Sequence, residues 1–267
     1  MVPEARIALG GEVLSFAPAD GEPAFTLGGR FLPFVSDAEP TITFDVHCAP
    51  FHFADLGEPL FETPRWVLHR VRDESVICLR RPGAGVYQII TLKYGSGHGE
   101  IYLVDVPWLR GHPRHVFEHP AGEVLSLILL AQRRGVLLHA SAAGDQGRGL
   151  LFSGVSGAGK STLIRLWQRH TSAELLSDDR IVVRRQNGSF EIFGTPWHGD
   201  VPVMSPASFP LHSVFVVRHA AENSVRPLDP AETVSNLLAR AFPPFWDREG
   251  MAFTLGFLEA LSRSVPC

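Results

Sequence analysis

Residues 154–161 read Gly-Val-Ser-Gly-Ala-Gly-Lys-Ser, an ungapped G-x-x-x-x-G-K-[ST], and Thr162 follows. This pattern constrains the fold more than any other stretch, because it has meaning only between a strand and a helix. Both flanks are legible: the apolar run Leu150–Ser153 leads in, and Ser161–His170 leads out with helical spacing. Gly154, Gly157 and Gly159, with Ser156 and Ala158 between them, let successive backbone N–H groups turn inward around phosphate oxygens. The helix N-terminus adds its partial positive charge. Lys160 would reach the β- and γ-phosphates, and the Ser161 hydroxyl would bind Mg²⁺. Of the 24 basic residues only Lys93 and Lys160 are lysines. In so arginine-rich a chain, a lysine marks a place where a compact charge is wanted and a planar fork is not. The expected ligands are ATP and Mg²⁺.

Eighteen residues beyond Lys160, the strand-like Leu175-Leu176-Ser177 ends in Asp178-Asp179. Two carboxylates beside a phosphate cradle meet two needs: holding Mg²⁺, often through water, and orienting or deprotonating an attacking hydroxyl. Adjacent side chains on an extended backbone point to opposite sides, so the pair should divide these roles. His139 lies in the preceding apolar strand, between Leu138 and Ala140. It reads equally as a hydrogen-bonded core residue or as a neighbour of the γ-phosphate that tunes an aspartate. Thr195-Pro196-Trp197-His198-Gly199-Asp200 follows a further strand and suits the wall of an acceptor pocket. Its plainer reading is a packed turn plugged by Trp197.

Around this core the chain divides by character. Residues 1–118 show short apolar stretches, such as Arg6–Leu9, Thr41–Phe44, Val76–Leu79 and Tyr87–Leu92, between Gly, Pro and Asp punctuation. They predict a β-rich, largely antiparallel N-terminal domain. Residues 119–267 form the P-loop core. It opens with a buried helix over Gly122–Arg134 and closes with helices near Pro230–Ala241 and Phe245–Arg263. Phe242–Trp246 reads as a hydrophobic corner between the last two. Net charge is −4, which supplies no bulk basic field for nucleic acid or an anionic membrane. No apolar run approaches a membrane span, the start lacks a signal peptide's basic flank, and three cysteines form no CxxC pair, so a reduced, cytoplasmic protein is expected.

The ordered set of His139, Gly154-x-Ser156-Gly157-x-Gly159-Lys160-Ser161 and Leu176-Ser177-Asp178-Asp179-Arg180-Ile181 resembles the kinase core of HPr kinase/phosphorylase, which is related to phosphoenolpyruvate carboxykinases. The resemblance covers residues from about 120 to 200. It implies an α/β (α+β) fold whose P-loop core has a mixed sheet flanked by helices, preceded here by the β-rich unit. It implies Asp178 as catalytic acid/base, Asp179 as an aid to metal or phosphate, Ser161 as a Mg²⁺ ligand and His139 as a support. It also implies a homo-oligomer. The expected reaction is transfer of the γ-phosphoryl group to a hydroxyl of a small molecule, peptide or protein. Rival expectations are a doubly wound sugar or nucleotide kinase, a carboxykinase-like enzyme, and a nucleotide-responsive binding module or NTPase.

Other clusters carry less. His112, His115, Glu118 and His119 have metal-ligand chemistry, but Pro113 breaks any helix that would align them. His47, Cys48 and His52 would scatter across a strand's faces. Arg184-Arg185 reads as a solvated strand end, and Arg133-Arg134 as a solvated helix end or a phosphate clamp.

Overall fold

The computed structural model describes residues 4–267 except 20, 22–24, 50, 52–55, 94, 108–114, 118 and 133–134. Packing divides the chain into two compact units, Met1–Ala8 with Glu12–Leu125, and Leu9–Gly11 with Ser126–Cys267. Among the described residues, no helix is long and apolar enough to cross a membrane.

The first unit is one eight-stranded sheet built from β1 (Ala5–Leu9), β2 (Glu12–Pro18), β3 (Ile42–His47), β4 (Phe61–Glu62), β5 (Trp66–Val71), β6 (Glu74–Arg81), β7 (Gly85–Lys93) and β8 (His98–Leu103), in the order β1-β2-β3-β8-β7-β6-β5-β4. Strict alternation of buried and open residues in β1 and β8 shows how period-two patterning sets the faces. The meander β4 to β8 is antiparallel, as expected. β3, however, runs parallel to both β2 and β8. Long connections on either side of β3 return the chain to the same end of the sheet, and parallel neighbours require such crossovers. The first connection contains a 3₁₀ helix, Gly29–Phe34, whose Phe31 and Phe34 are buried. Phe31 meets Phe117 with ring centroids 5.2 Å apart, and Phe117 meets Phe16 at 5.4 Å.

Helix α1 (Ala121–Ala131) leads into the second unit, which contains β9 (Val136–Asp145), β10 (Arg148–Ser153), α2 (Lys160–His170), β11 (Glu174–Ser177), β12 (Arg180–Gln186), β13 (Ser189–Phe193), β14 (Ser208–Val216), α3 (Pro230–Leu238) and α4 (Arg248–Ser264). Its sheet is mixed. Successive pairings β9–β10, β10–β14, β14–β13, β13–β12 and β12–β9 close on themselves, and only β10–β14 among them is parallel. Two hairpins use residues that accept positive φ: Gln146-Gly147 (49° and 76°) and Asn187-Gly188 (49° and 85°). Those angles match the twist of the flanking strands.

Period two again assigns the layers. Val136, Leu138, Ala140 and Ala142 of β9 join a core with Leu237 of α3 and Phe257, Leu258 and Leu261 of α4. Ala143 faces the other way, with Phe152 and Ile164 of α2. The α3 start is set by a capping box between Asp229 and Glu232, with Pro230 in the first turn. In class the chain is a mixed α/β protein, with two sheets and few helices among the described residues.

Candidate functional site

β10 ends at Ser153, and the chain must turn away at once. A Cβ on Gly154 would meet the Val217 carbonyl at 2.8 Å, so only glycine passes there. Gly157 and Gly159 sit at φ of 77° and 102°, with open space where a Cβ would lie. Ser156 is exposed, while Ala158 is buried and its N–H closes a turn onto the Val155 carbonyl (3.1 Å). Among the described residues no side chain caps α2, so its first N–H groups are left for an anion. Lys160 is buried, and its Nζ donates to the Gly154 and Val155 carbonyls at 2.8 and 3.2 Å. Burial, and then the charge of Arg240, lowers its pKa, with Asp178 opposing. Thr162 is exposed on α2. At the loop's tip, His219 Nε2 lies 2.6 Å from the Gly157 carbonyl oxygen.

Asp178 and Asp179 occupy the break between β11 and β12, both of which pair with β9. There Ala140 N–H donates to the Asp179 carbonyl (3.1 Å) and Ser141 Oγ to the Asp178 carbonyl (3.0 Å). With both main-chain carbonyls tied to β9, the two carboxylates are aimed apart. Asp178 is buried; its Oδ1 accepts from Gly199 N–H at 2.6 Å, and its Oδ2 from Val201 N–H at 2.8 Å and Ser161 Oγ at 3.3 Å. Asp179 is ion-paired to Arg180, and its Oδ1 lies 3.8 Å from His139 Nε2. The family resemblance implied Ser161 and Asp179 as the metal ligands. The structure brings Ser161 to Asp178, and Asp179 to His139.

His139 is half-buried. Its burial, followed by the charges of Lys160, Arg180 and Arg240, pushes its pKa down from the ordinary 6.5, with Asp178 opposing. The imidazole is therefore neutral at neutral pH. Arg180 also lies over the Phe242 ring, 5.1 Å from its centroid, so the segment read as a hydrophobic corner faces a charged residue.

The segment between β13 and β14 serves this site through its backbone. Gly194 N–H donates to the Ala207 carbonyl and Ser205 N–H to the Leu176 carbonyl, closing the base of the loop. Thr195 Oγ1 donates to the Arg180 carbonyl at 2.6 Å, and Trp197, 2% exposed, plugs the turn while its carbonyl accepts from Ser177 Oγ at 2.7 Å. The packed-turn reading of Trp197 thus holds, and the same turn delivers the Gly199 and Val201 donors. Side-chain patterns carry no signal for main-chain donors, which is why these were missed. Arg180 directly follows the acids but was given no role from the sequence, and Arg240 lies in no motif.

Elsewhere, His115 Nδ1 lies 2.8 Å from Thr26 Oγ1, His119 contacts Arg65 and Glu123, and His47 stacks on Tyr102. His52, His112, Glu118, Arg133 and Arg134 lie outside the described residues. Among the described residues, no three His, Cys, Asp or Glu side chains are grouped to hold a metal. Magnesium does not need such a cage. It is typically held by one or two carboxylates, phosphates and water, and the hard oxygens of Ser161 and Asp178 fit that demand. The open glycine turn and the uncapped α2 likewise fit a polyphosphate.

No family model matches the chain, and no curated protein matches it. Among solved structures, the Hpr(Ser) kinase/phosphatase from Coxiella burnetii aligns with a TM-score of 0.27 and 18% identity, over 34% of this chain and 68% of that one. So slight a likeness assigns no chemistry.

Proposed function

We propose that the protein is an ATP- and Mg²⁺-dependent kinase acting on a hydroxyl group of a small molecule or a peptide side chain. The observation that carries this reading is the meeting of the P-loop hydroxyl with a strand-end carboxylate: Ser161 Oγ lies 3.3 Å from Asp178 Oδ2, beside the buried Lys160. A glycine turn alone could bind any anion. A turn whose hydroxyl faces a carboxylate suits a metal-bound polyphosphate.

In this reading Ser161 and Asp178 hold the metal, which when bound neutralises charge on the phosphate oxygens. The loop N–H groups and Lys160 hold the phosphates. His139, kept neutral by burial and by cations, accepts the hydroxyl proton, and Asp179 stabilises the imidazolium that forms. The acceptor oxygen forms a bond to the γ-phosphorus as the bond from that phosphorus to the β–γ bridging oxygen breaks. That bond's electron pair leaves with ADP. Metal binding thus passes to Asp178 and proton transfer to the His139–Asp179 pair, an exchange of the roles that the resemblance implied. Its support is which acid faces Ser161 and which faces the imidazole.

Incubation with γ-labelled ATP and Mg²⁺, with and without cell extract, tests the reading. Label moving to a small molecule or protein is expected. Release of free phosphate alone in both conditions would make the protein an NTPase, and binding without turnover would make it a switch.

A further inference from the structure

We infer that Arg240 is a second cationic ligand of the nucleotide's terminal phosphate, supplied from the lane beside β9 that β10 vacates. The inference rests on the kinase reading above. β10 runs beside β9 as far as the pair Ser153–Ala140, and there it departs into the P-loop. The vacated lane is filled from elsewhere in the chain: His139 N–H donates to the Arg240 carbonyl at 2.7 Å, Leu138 bridges to Ala241, and Phe242 N–H donates to the Leu137 carbonyl at 2.9 Å. Residues 240–242 therefore continue the track of β10 at the point where the phosphate loop lifts away. This places Arg240 next to the loop although 80 residues separate it from Lys160.

The side chain is poised but incompletely satisfied. Arg240 Nη1 donates to the Asn236 carbonyl at 2.6 Å, while its buried Nε has no hydrogen-bond partner among the described residues. Among the described residues no carboxylate pairs with it. Its charge instead bears on Lys160 and His139, disfavouring the protonated form of each. Lys160 and Arg240 lie in mutual range with Asp178 as the carboxylate that opposes their effect, and Asp178 is already held by the Gly199 and Val201 N–H groups, so the pair of cations leaves a place for a further anion. A guanidinium offers parallel N–H groups to two oxygens of one phosphate, which a lysine cannot do. Lys160 reaches across the loop from α2 and Arg240 from the lane beside β9, so together they would grip the terminal phosphate from two sides as its charge shifts during transfer.

The fold depends on the main chain of Arg240 in its contact with β9, so the side chain can be changed while that pairing stays. Affinities of the whole protein for Mg²⁺ with a non-hydrolysable ATP analogue, and with ADP, are measured by calorimetry for wild type, Arg240→Ala and Arg240→Lys. Thermal melting serves as the folding control. The alanine variant should lose about tenfold or more in affinity for the triphosphate, the size of one charge-assisted contact, and less than about threefold for ADP. The lysine variant should fall between them, keeping the charge without the fork. Equal losses for both nucleotides, or no loss, in variants that melt like wild type would overturn the role of Arg240 while leaving the kinase reading intact. Failure of wild type itself to bind either nucleotide overturns both.

Discussion

At the scale of single residues, His139 is where environment and chemistry meet. Its pKa is lowered, so the neutral, proton-accepting imidazole persists below the ordinary value of 6.5 and is lost only as pH falls through the lower folded value. The pH–rate profile for phosphoryl transfer should be flat through neutrality and drop on a limb displaced to the acid side of 6.5. Replacing His139 with Gln should remove that limb and slow transfer by about 10²- to 10⁴-fold, the usual worth of a general base. An unchanged limb in the variant would clear His139 of the role. The same shift sets a stability trend. The folded state binds the proton less readily than the unfolded chain, so stability falls as pH drops through about 6.5. Asp178→Asn addresses the other acid. A carboxamide can still accept from one loop N–H but presents an NH₂ group where an oxygen is needed. The variant should therefore lose the Mg²⁺-dependent part of nucleotide affinity, about 1–3 kcal/mol, measured by titration with and without the metal. The sequence made this site legible because motif residues announce themselves by type: Lys160, Ser161 and the two aspartates were all nameable. Which aspartate faces Ser161 was not legible, because it depends on how the Ala140 N–H and the Ser141 hydroxyl tie down the two aspartate carbonyls, which no spacing rule encodes.

Among the elements, the β13–β14 connection does most to shape the site and was the least readable in advance. Alternating apolar residues predict β12 and β13, and Asn187-Gly188 predicts the turn between them. Nothing in Thr195–Asp200 foretells that two peptide N–H groups will hold Asp178. The loop's geometry turns on Gly194, where an added Cβ would sit 1.9 Å from the Ser205 carbonyl oxygen and 3.1 Å from that of Leu176. Neither neighbour is a yielding side chain; both are backbone. Gly194→Ala should therefore cost about 1–3 kcal/mol in stability and displace the Gly199 and Val201 donors. Denaturant melts would read the first effect and loss of Mg²⁺-dependent nucleotide binding the second. A variant with wild-type stability would show that the loop base can relax, and would remove the argument that this glycine is needed for packing. The α3 start offers a contrast. Asp229→Ala removes a cap worth about 1 kcal/mol, yet it lies a full helix away from Arg240 and should leave nucleotide affinity unchanged.

For the molecule as a whole, a net charge of −4 coexists with a cluster in which Lys160, Arg180 and Arg240 bear on one imidazole. Overall composition therefore says little about this site: the excess acid lies elsewhere, and the local balance favours an anion. Composition and periodicity could place a β-rich region ahead of an α/β one, since each depends only on local pattern. They could not foresee that β3 would lie between two parallel neighbours, because that depends on how long connections return. The two units also carry separate cores, so a ligand of the P-loop should register first on the unit that holds it. A nucleotide that binds only the folded protein stabilises it by about 2.7 kcal/mol when present at one hundred times its Kd. With Mg²⁺ and a non-hydrolysable ATP analogue at that level, amide exchange should slow in 153–163, 176–180 and 199–201. The exchange of β5, β6 and β7 should stay as it was. The metal should be required for the slowing at 176–180 and 199–201, because Asp178 meets the phosphate loop there through Ser161. Equal slowing in those segments without Mg²⁺ would mean that Asp178 serves the fold and not the metal, and protection confined to the first unit would place the nucleotide away from the P-loop altogether.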